Sequence, residues 1–269
     1  MQPSRQFLLA LLIVLTFSAC SSTRPPTPST PATVEPTPAP VVTEVSMEDR
    51  LVDAYIASTG GLDAIRNMKT VTMKAEISMM GMNMPLVIYS KRPSKMRSEV
   101  DVTAMNMKVV TATDGVTAWT QNPMVGPTAQ VLPAEQAKAV AEQADIDGML
   151  VGYKERGYTV TYVGEEPVRG KPAHKLKVDR PNQSLVHIFL DAETHLQVKQ
   201  DGEGIDPQSG GRVQMATYMG DYRAVEGVMM PFMMEVEMGG NPFQKMTMSG
   251  IEVNTEVDDS LFKMPVSVN

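Results

Sequence analysis

Residues 71 to 79 alternate between two kinds of side chain, and this alternation constrains the fold more than any other feature of the sequence. The odd positions, from Val71 to Met79, are apolar or small, whereas Thr72 to Ser78 between them are polar. Successive side chains of a strand point to opposite faces, so the pattern predicts a strand with one buried and one solvated face. One-sided strands of this kind are typical of antiparallel sheets.

Similar segments recur along most of the chain and are separated by turn signals such as Gly81, Asp114-Gly115 and Glu226-Gly227. We predict strands at 71–79, 82–89, 95–102, 107–113, 116–120, 158–163, 173–179, 185–190, 195–201, 212–223, 228–238 and 244–253. Turns are expected at 165–171, 191–194, 226–227 and 239–242. The order of the strands indicates a long antiparallel meander.

Three segments instead indicate helices. Ser46 and Asp49 resemble a capping box at the start of a first helix. Gly60-Gly61 is predicted to end this helix. A second, short helix is predicted at 62–68, and a third runs from Pro133 to about residue 144. A large sheet must cover its apolar face by closing into a barrel, by stacking on a second sheet or by curling around helices. The three helices favour curling, in a single mainly β (α+β) domain at 47–269.

The amino terminus is typical of an exported lipoprotein. Arg5 provides positive charge, and the apolar run at 7–17 is shorter than the roughly 20 residues that span a bilayer. Ser18 and Ala19 then precede Cys20, which is the only cysteine. The pattern resembles a lipobox, so we expect 1–19 to be a signal peptide and Cys20 to be lipidated. An ordinary secretory signal that happens to end in cysteine is the alternative.

The segment that follows Cys20, up to residue 46, is rich in proline and threonine and has no periodic apolar face. It is predicted to be a tether in extended polyproline conformation, which could reach about 80 Å from a membrane. The formal net charge of −7 argues against a nucleic-acid-binding surface. The sequence therefore predicts a domain held at a distance from a membrane.

Motifs for catalysis or metal binding are absent from the sequence. It contains no His-Glu-x-x-His, Cys-x-x-Cys or Gly-x-Ser-x-Gly pattern. Asp145-Ile-Asp147-Gly148 hints at a calcium loop, but the rest of the ligand pattern is missing. His187 and His195 flank a predicted hairpin turn, and their spacing makes no metal site. We expect neither enzymatic activity nor a metal or cofactor.

Methionine is unusually frequent, with 23 residues in the chain. Its flexible thioether adapts to irregular apolar shapes, which suits acyl chains, but methionine can equally replace leucine as core filling. The sequence leaves these two interpretations open. The residues predicted to line an apolar ligand site are Met73, Met79, Met82, Met84, Met105, Met107, Trp119, Met230, Phe232 and Met234.

Three motifs resemble those of the LolA/LolB superfamily of lipoprotein carriers and receptors, in particular the outer membrane lipoprotein-sorting proteins. They read KRPSKMR at 91–97, TDGVTAWTQNP at 113–123 and VDDSLFKMP at 257–265. The resemblance implies an incomplete β-barrel whose concave apolar face is lidded by helices, with acyl chains bound between sheet and lid. The carriers are soluble and the receptors are lipid-anchored, so Cys20 puts this chain on the receptor-like side.

These expectations lead to two hypotheses of different classes. In the first, the chain is a non-enzymatic protein that binds lipid or lipoprotein acyl chains, anchored in the outer membrane through Cys20 and facing the periplasm. In the second, it is an envelope-stress sensor or scaffold that binds a protein partner through the same fold. The second predicts a filled core and an exposed binding edge, whereas the first predicts space between sheet and helices.

Overall fold

The computed structural model describes residues 45–79, 81–181, 183, 185–205 and 211–265. The predicted signal peptide, Cys20 and all but the end of the predicted tether lie outside the described residues. Within these ranges, no helix has the length and hydropathy that a membrane span requires.

The described chain forms one antiparallel sheet of thirteen strands together with three α-helices. The helices are α1 (Met47–Thr59), α2 (Leu62–Asn67) and α3 (Ala134–Gln143). The first six strands are β1 (Thr70–Met79), β2 (Met82–Lys91), β3 (Lys95–Val102), β4 (Met107–Thr113), β5 (Ala118–Gln121) and β6 (Gln130–Val131). The other seven are β7 (Thr159–Val168), β8 (Lys171–Asp179), β9 (Val186–Asp191), β10 (Gln197–Ile205), β11 (Arg212–Val225), β12 (Val228–Met238) and β13 (Asn241–Val253). Short 3₁₀ turns cover Thr103–Met105 and Asp259–Phe262.

The first and last strands of the chain lie side by side at the centre of the sheet. Its strand order is β6-β5-β4-β3-β2-β1-β13-β12-β11-β10-β9-β8-β7, so the first and last strands pair at the centre. The chain runs outward from β1 to the edge strand β6, passes to the opposite edge strand β7, and returns to the centre through β13. The prediction of a curled antiparallel sheet is confirmed. The expected single meander is wrong, because two meanders meet at the β1–β13 pair.

The path between the two edges explains the helical lid. After β6 the chain must cross to β7, and it does so through α3 and the irregular segment 145–158, which we call the crossing segment. The three helices and the crossing segment together are called the lid. We call the face of the sheet on which these helices and this segment pack the concave face. A curled sheet shortens the crossing on this face, and the crossing chain in turn covers apolar side chains of the sheet.

Helix α1 joins the lid through a defined start and stop. Ser46 Oγ accepts a hydrogen bond from the Asp49 amide at 3.2 Å, which satisfies one free donor of the first turn. At the other end Gly60 has a φ of +125°, and a Cβ there would lie 2.2 Å from the Gly227 carbonyl oxygen. Only glycine lets the helix end approach the β11–β12 turn this closely. The predicted helix bounds are confirmed.

The core under the lid is densely packed. Leu51 and Val52 of α1 pack with Leu150 of the crossing segment against Leu176 and Ile188 of the sheet. Leu176 is completely buried, and Ile188 is 1% exposed. Burial of each such side chain contributes roughly 1.5–3 kcal/mol, so this half of the lid is firmly attached.

The three motifs that resemble the LolA/LolB superfamily meet on the other, convex face. Lys91 and Lys95 each lie 2.8 Å from a carboxylate oxygen of Asp259. Arg97 donates to the Leu261 carbonyl at 2.9 Å, and Trp119 Nε1 donates to the Phe262 carbonyl at 2.9 Å. The three sequence motifs therefore form one structural cluster that fastens the carboxyl-terminal tail to the sheet.

The predicted turns also extend into strands, most of all the turn predicted at 165–171. Residues 165–168 and 171 belong to strands, and the turn between β7 and β8 consists of Arg169 and Gly170 alone. Both have positive φ, at +49° and +82°, as a two-residue hairpin of type I′ requires. The polar run with Pro167 concealed the strand, because β7 is an edge strand and an edge tolerates proline and charge.

Candidate functional site

The concave face divides into parts that differ in what covers them. On β7 to β9, α1 and the crossing segment pack directly against the sheet. Near Val71 and Val228, Ile65 of α2 and Val151 fill the space. Further along β1, β2, β12 and β13, the apolar side chains of the sheet pack against one another, and the described members of this cluster all come from strands.

A groove of about 630 Å³ lies where α3 crosses strands β4 to β6. Its residues are Val109, Thr111, Thr120, Asn122, Val125, Thr128, Gln130, Val131, Leu132, Pro133, Gln136, Ala139 and Val140. Among these described residues, seven are apolar, six are polar, and none carries a charge. The groove is therefore suited to an apolar or uncharged guest.

The groove exists because α3 is held loosely on this side. Val140 is buried, as is the capping residue Ala144, whereas Ala139 and Gln136 are exposed. The first turn has no side-chain cap, since Pro133 occupies the N-cap position. The carboxyl-terminal half of α3 thus packs on the sheet beside Met96 and Ala118, and the amino-terminal half stands above the groove.

An apolar strip connects this groove to the centre of the sheet. Val109 lines the groove and pairs across β3 and β4 with Val100. Val100 packs in the sheet cluster with Leu86, and Leu86 pairs with Ala75 on β1. The methionine-rich cluster and the groove are therefore parts of one continuous apolar face.

The mouth of the groove is formed by the loop between β5 and β6. Met124, Val125 and Val131 are 66%, 73% and 61% exposed. The sequence from 115 to 134 contains no Asp, Glu, Lys or Arg. An exposed apolar and uncharged rim of this kind is typical of a binding surface.

The residues predicted to line a ligand site are distributed over several environments. Met84, Phe232, Met79 and Met234 lie in the sheet cluster, and Met73 and Met230 pack beneath α2. Met107 begins β4 and is half-buried. None of the ten lies among the described residues that line the groove under α3.

Three of the ten are largely exposed or face away from the helices. Met105 is 52% exposed in a 3₁₀ turn, because the chain reverses between β3 and β4 there. Met82 begins β2 and is 40% exposed. Trp119 is 1% exposed and packs on the convex face with the carboxyl-terminal tail. Its neighbour Thr120 points the other way, into the groove.

Arg92 is the residue whose role the sequence concealed. It follows β2 directly, and its guanidinium binds both carboxylate oxygens of Asp147, at 2.6 and 2.7 Å. It also donates to the carbonyl oxygens of Ile65 and Met68, at 3.0 and 2.6 Å. One side chain therefore ties the end of α2 and the crossing segment to the sheet. We call this set of bonds the Arg92 latch.

The electrostatics of the latch follow from its geometry. The hydrogen bonds from Arg92 hold the pKa of Asp147 below its usual range, and the bonds to Asp147 raise the pKa of Arg92. In the sequence, the only sign that these carboxylates have a role was that Asp145-Ile-Asp147 resembles part of a calcium loop. Asp145 also pairs with an arginine, Arg156, so both carboxylates serve to hold the crossing segment.

A second ion pair fixes the end of α3. Glu142 lies 3.2 Å from Arg180, whose side chain is 6% exposed. A third contact joins α1 to the crossing segment, where the hydroxyl of Tyr153 donates to Asp49. Burial and this bond to Asp49 raise the pKa of Tyr153 to about 12.

A smaller groove of about 390 Å³ opens at the tips of the β1–β2 and β12–β13 hairpins. Arg169, Glu235 and Lys245 line it and form ion pairs at 2.6 and 3.0 Å. A charged, paired lining of this kind favours solvent over an apolar guest. We therefore regard the groove under α3 as the candidate site.

His187 and His195 make contacts with different residues. His187 lies in β9 and is 3.0 Å from Asp201, whereas His195 stacks on His174 with 6.2 Å between ring centroids. Within the described ranges, no three His, Cys, Asp or Glu side chains converge on a position that could hold a metal ion.

The architecture matches solved structures at low sequence identity. A LolA superfamily protein from Nitrosomonas europaea is 12% identical, with a TM-score of 0.55 over 81% of this chain and 98% of that chain. A domain assigned to outer membrane lipoprotein-sorting proteins, from Vibrio parahaemolyticus, is 10% identical, with a TM-score of 0.57 over 80% of this chain and 97% of that chain. The chain has the LolA-like fold.

A third similar structure is that of a DUF1329 family protein from Desulfovibrio piger. It is 15% identical, with a TM-score of 0.54 over 80% of this chain and 96% of that chain. No family model matches the sequence, and no curated protein is significantly similar to it. At these identities the likeness concerns the fold, so function must be argued from the groove.

Proposed function

We propose that this chain is a non-enzymatic binding protein for lipid or lipoprotein acyl chains in the bacterial envelope, with a role in lipoprotein sorting. The observation that carries the proposal is the uncharged groove of about 630 Å³ between α3 and the sheet. An acyl chain gains free energy from leaving water, and this lining offers it apolar contacts without charges to desolvate.

The rim and the fold add support. The exposed Met124, Val125 and Val131 give an acyl chain an apolar path into the groove. The similar structures include a LolA superfamily protein and a lipoprotein-sorting domain. The sensor hypothesis expects a filled space between sheet and helices, and the groove favours lipid binding over it.

The anchor completes the proposal. Lipid on Cys20 would attach the chain to the outer membrane, and the proline-rich segment would let the domain face the periplasm as a receptor. We expect Cys20→Ser to move the protein from the membrane fraction to the soluble fraction and to remove the acyl mass increment of its amino-terminal peptide. A mature protein that keeps an unmodified Cys20 would contradict this part.

Lipid binding can be tested with two matched variants of α3. Ala139 and Ala141 are both exposed on this helix, but Ala139 lines the groove and Ala141 is not among its lining residues. The chain from residue 20 onward, carrying Cys20→Ser, would be exported with an ordinary secretory signal and analysed by native mass spectrometry. We expect co-purified lipid in this protein and in its Ala141→Phe form.

The Ala139→Phe form should lose that lipid, because the added ring fills the groove. Circular dichroism of both variants confirms that they fold. If no lipid is found in any form, or if Ala139→Phe retains it fully, the groove is not an acyl-chain site.

A further inference from the structure

One end of the sheet carries no charge at the chain reversals of eight neighbouring strands, and we propose that this end docks on a lipid bilayer. In sheet order the eight strands run from β6 through β1 and β13 to β12. The contact goes beyond the proposed function, because it is made by a surface outside the groove. Only its use as a route between membrane and groove rests on the proposed function.

Four chain reversals form this end, which we call the uncharged end. The strands are antiparallel and joined in sequence, so every second reversal lies at the same end of the sheet. The β1–β2, β3–β4 and β5–β6 reversals therefore lie together. The β12–β13 reversal joins them, because Met79 at the end of β1 pairs with Gln244 near the start of β13.

The two ends of these strands differ in charge. No Asp, Glu, Lys, Arg or His occurs in the sequence ranges of the four reversals, which are 79–85, 102–107, 122–134 and 238–244. The reversals at the other end contain Arg92, Asp114 and Glu226. Beyond β12 the uncharged stretch stops, because Glu203 of β10 and Arg212 of β11 form an ion pair at 2.7 Å.

Apolar side chains at the uncharged end face the solvent. Met82, Met105, Met124 and Val125 are 40%, 52%, 66% and 73% exposed. A single exposed apolar side chain is ordinary, but these four lie on three adjacent reversals that carry no charge. Such a patch is typical of an interaction surface.

The lack of charge indicates a bilayer as the partner. A charged side chain that enters the acyl region of a bilayer loses its hydration at a large cost, so a surface that dips into lipid must be uncharged. An interface with a protein typically surrounds its apolar centre with polar groups that fix the orientation of the partner. Methionine is flexible and polarizable, which suits contact with disordered lipid tails.

The charges nearest to this end do not oppose docking. Met234 and Met246 pack in the apolar cluster on the concave face, so their neighbours Glu235 and Lys245 point to the convex face. There these two side chains pair with each other at 3.0 Å. They therefore lie behind the β12–β13 reversal rather than on it.

The groove under α3 opens at the same end. Val125 of the β5–β6 loop both lines the groove and belongs to the uncharged end. Docking would therefore bring the mouth of the groove against the lipid, and an acyl chain could pass between the two without crossing water. The predicted tether, which could span up to about 80 Å, leaves the domain free to turn this end toward the membrane.

The test is vesicle flotation of the chain from residue 20 onward with Cys20→Ser, so that no anchor holds the protein to lipid. Protein-free vesicles of phosphatidylcholine are compared with vesicles of phosphatidylethanolamine and phosphatidylglycerol, at low and at high salt. We expect the protein to float with the neutral vesicles at both salt concentrations, because an uncharged surface binds through apolar contact. Binding that requires anionic lipid would contradict the proposal.

Matched variants locate the contact. Met105→Asp and Met124→Asp each place a charge at the uncharged end and should weaken flotation about tenfold or more. Val116→Asp makes the same kind of change at the other end, where Val116 is 93% exposed in the β4–β5 turn, and should float like the parent protein. Circular dichroism confirms that all three variants fold.

The proposal is overturned if the parent protein floats with none of the vesicles, if both uncharged-end variants float unchanged, or if Val116→Asp weakens flotation equally. Flotation only with envelope vesicles that retain their proteins would assign the uncharged end to a protein partner, and would also overturn it. The outcome is separable from the proposed function. Met105 lies outside the groove lining, so Met105→Asp should still bind palmitate, and Ala139→Phe, which fills the groove, should still float.

Discussion

At the scale of single residues, the molecule depends on a few side chains that join the lid to the sheet. Arg92 binds Asp147 with two short hydrogen bonds and also reaches the last turn of α2. In the sequence, an arginine between a lysine and a proline looks like the end of a strand. Its partner Asp147 lies 55 positions away, so the residues around Arg92 do not reveal the pair. Long-range pairing of this kind cannot be found from local patterns.

The Arg92 latch predicts how stability depends on pH. The hydrogen bonds from Arg92 hold the pKa of Asp147 in the folded chain below the ordinary aspartate value of 3.8. The pair therefore stabilises the fold fully above that value, and its contribution is lost as the pH falls through the folded-state pKa. Asp147→Asn should lower the free energy of unfolding by about 1–2 kcal/mol at pH 7, since the pair is only partly exposed.

Urea unfolding at pH 7 and at pH 3 measures this effect. The difference between wild type and Asp147→Asn should shrink at pH 3, because the carboxylate of the unfolded wild-type chain is then largely protonated and must lose its proton to form the pair. Asp63→Asn on α2 makes the same chemical change at an exposed site and serves as the control. The prediction is contradicted if the stability difference between wild type and Asp147→Asn is the same at both pH values, or if Asp63→Asn loses as much stability as Asp147→Asn. Either result would show that Asp147 does not stabilise the fold through its ion pair with Arg92.

Gly60 leads to a second residue-scale prediction. Its φ of +125° strains any other residue, and an added Cβ would lie 2.2 Å from the Gly227 carbonyl oxygen. Gly61 also has positive φ, at +90°, but nothing lies within 4 Å of its Cβ position. We expect Gly61→Ala to cost about 1 kcal/mol from strain alone and Gly60→Ala to cost at least about 2 kcal/mol more. Equal losses in urea unfolding would mean that the close approach is unimportant.

At the scale of elements, the sequence contained most of the strands and all three helices. Local signals such as the alternation along β1 and the Asp114-Gly115 turn were enough to find these elements. Asp114 confirms its role by accepting hydrogen bonds from the Val116 and Thr117 amides at 2.9 and 2.8 Å. The β1–β13 pairing and the two-residue turn at Arg169 were missed, because strand order and edge position depend on the whole sheet.

The two larger lid helices should differ in local stability. Helix α1 has a side-chain N-cap and buries Leu51, Val52 and Thr59, whereas α3 lacks such a cap and buries only Val140 along its length. Fewer buried contacts mean a smaller free energy of local opening. Hydrogen exchange followed by mass spectrometry should therefore show faster exchange in α3 than in α1.

Ligand binding should reduce the difference in hydrogen-exchange rate between α3 and α1. A bound acyl chain fills the groove beneath α3, so palmitate should slow exchange at 134–143 and leave 47–59 nearly unchanged. Slower exchange in α3 than in α1 before any lipid is added would contradict the account of a loosely held helix.

At the scale of the whole molecule, the topology itself creates the site. The sheet begins and ends at its centre, so the chain has to cross from edge β6 to edge β7 over the concave face. The crossing forms a tight lid over β7 to β9 and a loose one over β4 to β6. The sequence predicted an apolar face rich in methionine, but the groove lies in another part of that face, under α3, because the methionines largely fill their own part of the sheet.

The central claim is that an acyl chain binds between α3 and strands β4 to β6. The most direct measurement is photocrosslinking with a palmitate that carries a diazirine near the end of its chain, followed by peptide mapping. We expect labelled residues within 109–111, 120–132 and 133–140, and we expect Ala139→Phe to lose the label while Ala141→Phe keeps it. Labelling confined to the convex face, or an unchanged pattern in Ala139→Phe, would contradict the claim.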